Sequence, residues 1–285
     1  MTVVLWIIIV TFISGVVGTG LGGLVGSIAK RDSSRVVSLF LSFAGGVMLS
    51  VVCFDLISEA LELTGNGDGE FSSLLLVMGG ILLGYEIVYI LNQVIDKRTN
   101  GEVKHIDKNH PATADDLNEL IHSDHYKYHK ETGNRRGMFI AGIIMACAIA
   151  LHNLPEGIVI GVSYTGATNV MDKAGLVMAI IIGLHNIPEG MAVSVPLISG
   201  GMSRGKAVMV TALSGAPTII GAVLGYTLGG LGPIALCLSL SFAAGAMLYV
   251  VFGELIPEAF LMWRSKAPAF AILVGILVGL IVIYA

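Results

Sequence analysis

The chain has 285 residues, of which 55% are hydrophobic and 13% charged, and its mean hydropathy is +0.85. A water-soluble domain carries about a quarter charged residues, so this surface must face something other than water. A net charge of −4 excludes a basic nucleic-acid-binding face, and three cysteines in separate apolar stretches (Cys53, Cys147, Cys237) exclude a disulfide framework or zinc-finger spacing.

A bilayer-spanning helix needs roughly 20 mostly apolar residues. Eight such stretches lie near 3–29, 35–61, 71–95, 138–164, 172–198, 206–229, 232–262 and 266–285, which predicts an all-α polytopic membrane protein. The first is too long for a cleaved signal peptide and lacks a basic N-terminal region, so it reads as a retained span. Alternating the spans across the membrane puts 15 of the 16 lysines and arginines on one face, with Lys173 the exception. The positive-inside bias makes that face cytoplasmic and both termini extracytoplasmic.

The second stretch carries Met48, Asp55 and Glu59, and the third carries Glu86. The segment 96–137 that follows is polar and holds five of the seven histidines. It reads as a cytoplasmic, flexible loop. Within its HSDHYKYH run, His122, His125 and His129 would share a face if the run became helical; they are candidate loop metal contacts or simply part of a polar linker.

The fourth and fifth stretches match each other, IALHNLPEGIVIGVSY (149–164) against IGLHNIPEGMAVSVPL (182–197). His152 and Glu156 are four residues apart, so both emerge on one helix face, one turn apart. His185 and Glu189 repeat that arrangement. Two imidazoles and two carboxylates facing each other suit Zn2+ and related divalent ions. Two carboxylates also neutralise a dication, offsetting the cost of carrying it into low dielectric. Pro155 and Pro188 each clash with the carbonyl four residues back and predict kinks at this level, while Gly157 and Gly190 allow neighbouring helices to come close.

The seventh stretch repeats the second. Residues 42–61 and 241–260 are identical at 12 of 20 positions without a gap, placing Met247, Glu254 and Glu258 opposite Met48, Asp55 and Glu59. The third echoes the eighth more weakly, with Ile281 where Glu86 stands. The first and sixth share only Ser14-Gly15 and Ser214-Gly215, a match negligible by itself. Paired spans run antiparallel, giving a 3+2+3 arrangement with inverted repeats: residues 1–95, the central pair 138–198, then 206–285. Such repeats build alternating-access transporters with the substrate site at their interface.

Ionisable groups within spans are costly and functional by default. Here every one is an acid or a histidine, with no buried lysine or arginine to pair with it, so a mobile cation is the expected counter-charge. Asp55 and Glu59 approach the outer mouth and Glu254 and Glu258 the cytoplasm, as an entrance and an exit. Glu59 and Glu258 lie near span ends, where snorkelling to headgroups is the alternative to a pathway role; the role of Glu86 stays open. An intramembrane zinc hydrolase would need three ligands, an open water position and a general base, and no HExxH motif is present. A metal sensor using the same residues is the other rival.

With HNLPEG and HNIPEG as its most specific elements, the sequence resembles the ZIP family of metal transporters (the Zrt-, Irt-like proteins) over all eight helices. The resemblance implies import of Zn2+, or of Fe2+, Mn2+ or Cd2+, towards the cytoplasm, as cargo rather than cofactor. It also implies a plasma-membrane location, no enzymatic activity and a homodimer. By position, the primary metal site would be His152, Glu156, His185 and Glu189 with the thioether of Met48. Asn153 and Asn186 fall where some members bind a second metal. This chain departs from that pattern at Thr218, where a bridging glutamate is common, and at the neutral Asn186, so one strong site is expected.

Overall fold

The computed structural model describes residues 2–28, 34–63, 70–99, 135–167 and 172–284, and among these it contains no β-strand. Among the described residues, eight helices are long and apolar enough to cross a membrane: α1 (Val3–Ile28), α2 (Arg35–Glu62), α3 (Leu74–Val94), α4 (Gly142–Ser163), α5 (Lys173–Ser199), α6 (Arg204–Gly229), α7 (Pro233–Phe260) and α8 (Ala267–Tyr284). The protein is therefore an all-α, multi-pass integral membrane protein. Helical structure continues past α3 to Thr99 and begins before α4 at Arg135, trimming the expected 96–137 loop at both ends. His122, His125 and His129 lie outside the described residues.

Local chemistry explains several helix ends. Asp172 caps α5 by accepting from the backbone N–H groups of Ala174 and Gly175 at 3.1 and 3.4 Å. Gly232 takes a φ of 133°, open to glycine, and Pro233 follows as the first residue of α7.

Glycines decide which helices pair. A Cβ at Gly22 would strike the carbonyl of Ile187, and one at Gly190 that of Thr19, so α1 lies directly on α5. Gly157 faces the Thr218 carbonyl and Gly221 the Leu154 carbonyl, joining α4 to α6. The same reciprocal approach joins α2 to α8 through Gly46 and Gly275, and α3 to α7 through Gly84 and Gly245. Without water to drive association, close backbone packing of small residues is what holds membrane helices together.

These pairs assemble two bundles. One contains α1, α4, α5 and α6; the other contains α2, α3, α7 and α8, with α2 packed along α7. The hydroxyl of Ser38 on α2 donates to the Ala259 carbonyl on α7 at 2.6 Å, and the Arg35 guanidinium sits 5.6 Å over the Trp263 ring. The bundles meet where α4 packs on α7 and α2 on α5. Exchanging α1 with α6, α2 with α7, α3 with α8 and α4 with α5 carries this pairing scheme onto itself, as an inverted repeat requires. The outer faces of α3 and α8 expose Leu82, Leu83, Ile90, Phe270 and Ile281, side chains suited to hydrocarbon.

Departures from α-helical hydrogen bonding occur in other spans. Both α4 and α5 remain continuous helices through Pro155 and Pro188. Instead α1, α2 and α7 contain π-helical segments at Phe12–Val17, Val52–Leu56 and Val250–Leu255, and α6 is interrupted between Ser214 and Pro217.

Candidate metal site

The HN-PEG segments bring their ionisable side chains to the α4–α5 contact. Glu156, His185 and Glu189, all buried, each offer one ligand atom, and the three atoms lie within 4.8 Å of one another. His185 Nε2 is 2.8 Å from Glu156 Oε1. Both carboxylate oxygens of Glu189 are buried without a hydrogen-bond partner among the described residues. A buried acid in that condition is expensive, and a cation between these groups would satisfy it. Imidazole nitrogen with carboxylate oxygen is a donor set for a borderline divalent metal.

The expected fourth ligand points elsewhere. His152 Nε2 is 2.9 Å from Glu254 Oε2 on α7, so His152 bridges the two bundles rather than joining the triplet. Glu254 and Glu258 lie close by. Both are buried and share a small cavity with His152, Glu189, Ala148 and Leu255. Both therefore lie inside the protein, where Glu254 of α7 meets His152 of α4. Their repeat counterparts differ: Asp55 is half-buried and Glu59 exposed. Met48 is buried in the core on α2, 1% exposed. Glu86 is exposed on α3, apart from the central acids.

The two asparagines share a neutral network, in which Asn186 Oδ1 has no hydrogen-bond partner among the described residues. Asn153 Oδ1 accepts from Asn186 Nδ2 at 3.3 Å and from the Thr218 hydroxyl at 2.9 Å. Asn153 Nδ2 donates to the carbonyls of Ile149 and Ser214, at 2.9 and 3.3 Å. Asn186 Nδ2 also donates to the Ser14 carbonyl at 3.1 Å. The Ser14-Gly15 and Ser214-Gly215 pairs, dismissed as a sequence match, thus receive equivalent asparagines from α5 and α4. Their offset of 200 residues, close to the 199 of the α2–α7 repeat, was the signal that could have revealed them. Nothing in the sequence marked Glu254 as the partner of His152.

Comparison with known proteins agrees with this chemistry. The family described as ZIP Zinc transporter matches residues 1–285. The zinc transporter ZupT of Corynebacterium efficiens is 31% identical over 262 residues, covering 91% of this chain and 90% of that protein. That of Akkermansia muciniphila is 30% identical over 98% of this chain and 97% of its own length. That of Chlorobium luteolum is 33% identical over 88% and 87%, respectively. With its matched length, eight spans and buried glutamate–histidine cluster, the chain belongs to the ZIP zinc transporter family.

Proposed function

We propose that this transporter imports Zn2+ into the cytoplasm by alternating access, with Glu156, His185 and Glu189 as the core of the transport site and His152 and Met48 as its remaining donors. The observation that carries this reading is the buried triplet, whose ligand atoms lie within 4.8 Å of one another at the contact of α4 and α5. Acids this deep in a membrane protein are costly: insertion scales put an aspartate at a span centre at about 2.5–3.5 kcal/mol. A transported dication supplies the charge that offsets them. The protein is a transporter and not an enzyme.

The incoming ion sheds water at Asp55 and Glu59, binds between the HN-PEG segments, and leaves past Glu254 and Glu258 as one four-helix bundle moves against the other. The basic-residue bias supports a cytoplasmic 96–137 loop, in which His122, His125 and His129 meet the released metal, and outward-facing termini. The plasma membrane and a homodimer complete this reading, as in the resemblance noted from the sequence. Asn153 and Asn186, with Thr218, hold the position beside the metal in a neutral state, so one cation binds per chain. Fe2+, Mn2+ and Cd2+ are alternative cargoes, since the same donors accept them.

The test is uptake of radioactive zinc into proteoliposomes of the purified protein, with unlabelled Cd2+, Mn2+ and Fe2+ as competitors. Saturable zinc uptake above that of empty liposomes supports the proposal. Bound zinc with no flux of any metal would leave the sensor reading instead.

A further inference from the structure

We propose that the two site histidines exchange acidic partners when the transporter reverses, so that Asp55 takes His185 in the opposite-facing state as Glu254 takes His152 in this one. This rests on the transport reading above and specifies what changes at its site.

Asp55 and Glu254 are equivalent by repeat, each the fourteenth residue of its segment when 42–61 is aligned with 241–260. Both sit in the same kind of backbone, although Glu254 is buried and Asp55 half-buried. Asp55 lies in the π-helical segment Val52–Leu56 and Glu254 in Val250–Leu255, and π-helical turns inside α-helices commonly mark functional positions. His152 and His185 are equivalent in the same way, on α4 and α5. Yet their present partners are not. His152 is held by Glu254, whereas His185 is held by Glu156, at 2.9 and 2.8 Å. Glu189, the counterpart of Glu156, has neither oxygen hydrogen-bonded among the described residues. Glu258 is buried and its counterpart Glu59 exposed.

An inverted repeat found in one asymmetric arrangement has a second arrangement of the same kind, reached by exchanging the roles of the repeats. Applied here, the exchange turns His152–Glu254 into His185–Asp55 and His185–Glu156 into His152–Glu189. Glu156 and Glu189 remain at the site throughout. The histidine alternates: His185 faces the carboxylates in this state and His152 in the other. The cargo therefore stays on the two glutamates and is handed from one imidazole to the other, while Asp55 or Glu254 holds the histidine that is not in use.

The experiment uses the full chain in liposomes, with Cys53, Cys147 and Cys237 replaced by serine, and a short bifunctional thiol cross-linker. One protein carries His152→Cys with Glu254→Cys, a second carries Asp55→Cys with His185→Cys, and a third carries Asp55→Cys with His152→Cys. The first two pairs are expected to bridge and the third not. In a protein carrying the first two pairs together, bridging one should lower the yield of the other about tenfold or more. The proposal is overturned if the 152/254 pair bridges while the 55/185 pair does not, or if both bridge in the same molecules. A second measurement leaves all four HN-PEG ligands intact: thiol labelling of Ala148→Cys, beside the cavity, in Glu254→Gln and Asp55→Asn backgrounds. The two substitutions should shift labelling in opposite directions, and shifts in the same direction overturn the proposal. Zinc flux by the unmodified chain in the same liposomes separates the two ideas. Flux without a 55/185 bridge removes only the partner exchange, whereas no flux removes the transport reading beneath it.

Discussion

Gly15 and Gly215 lie against each other where α1 crosses α6, and a Cβ on either would meet the carbonyl oxygen of the other. Gly15 would place it 2.5 Å from Gly215 O, closer than any side chain tolerates. Just before each glycine, the Ser14 and Ser214 carbonyls accept from Asn186 and Asn153. This crossing therefore fixes the depth of both HN-PEG segments. Overpacking at such a contact costs about 1–3 kcal/mol. Gly15→Ala and Gly215→Ala should each lower the thermal midpoint in detergent, whereas Gly79→Ala, with nothing within 4 Å, should not.

The neutral network bears on stoichiometry. Asn153 already accepts two hydrogen bonds on its side-chain oxygen, from Asn186 and Thr218, and none of the three residues brings negative charge. Metal analysis of the purified chain should find one tightly bound Zn2+. Combining Asn186→Asp with Thr218→Glu supplies two carboxylates and should raise the count to two. Two tight ions in the unaltered protein would contradict the reading of these residues.

His185 and Glu86 are both ionisable groups within spans, but only His185 belongs to the buried triplet. Loss of a group that merely orients a metal ligand typically costs about 10–100-fold in affinity, and loss of a direct ligand costs at least that. By zinc titration, His185→Ala should weaken binding at least about tenfold, and Glu86→Gln should leave it in place.

Tyr249 supports α3 without touching the metal. Its hydroxyl accepts from buried Asn92 Nδ2 at 2.8 Å, and its ring meets Tyr85 and Tyr89 edge-on. Tyr249→Phe keeps the ring contacts and strands the amide, a loss of about 1–3 kcal/mol. The expected result is a lower thermal midpoint with unchanged zinc affinity.

The spans, the inverted pairing of α2 with α7 and the matched HN-PEG segments were legible in the sequence because length, hydropathy and identical spacing leave few other arrangements. The direction of individual side chains was not. Whether His152 turns to Glu189 or to Glu254 depends on how two bundles meet. The α1–α6 correspondence was hidden for a different reason. Its content is two small residues whose value lies in backbone contact, and a Ser-Gly pair carries little information until the helices are placed.

The most direct test of the central claim compares zinc uptake by the native protein and by Glu189→Gln in proteoliposomes. The substitution keeps the shape of the side chain and removes the charge of the carboxylate that has no other partner in the site. Saturable uptake in the native protein that collapses in Glu189→Gln, with the variant still folded, is the predicted result. Equal uptake by the two proteins, with empty liposomes silent, would contradict it and move the transport site away from α4 and α5.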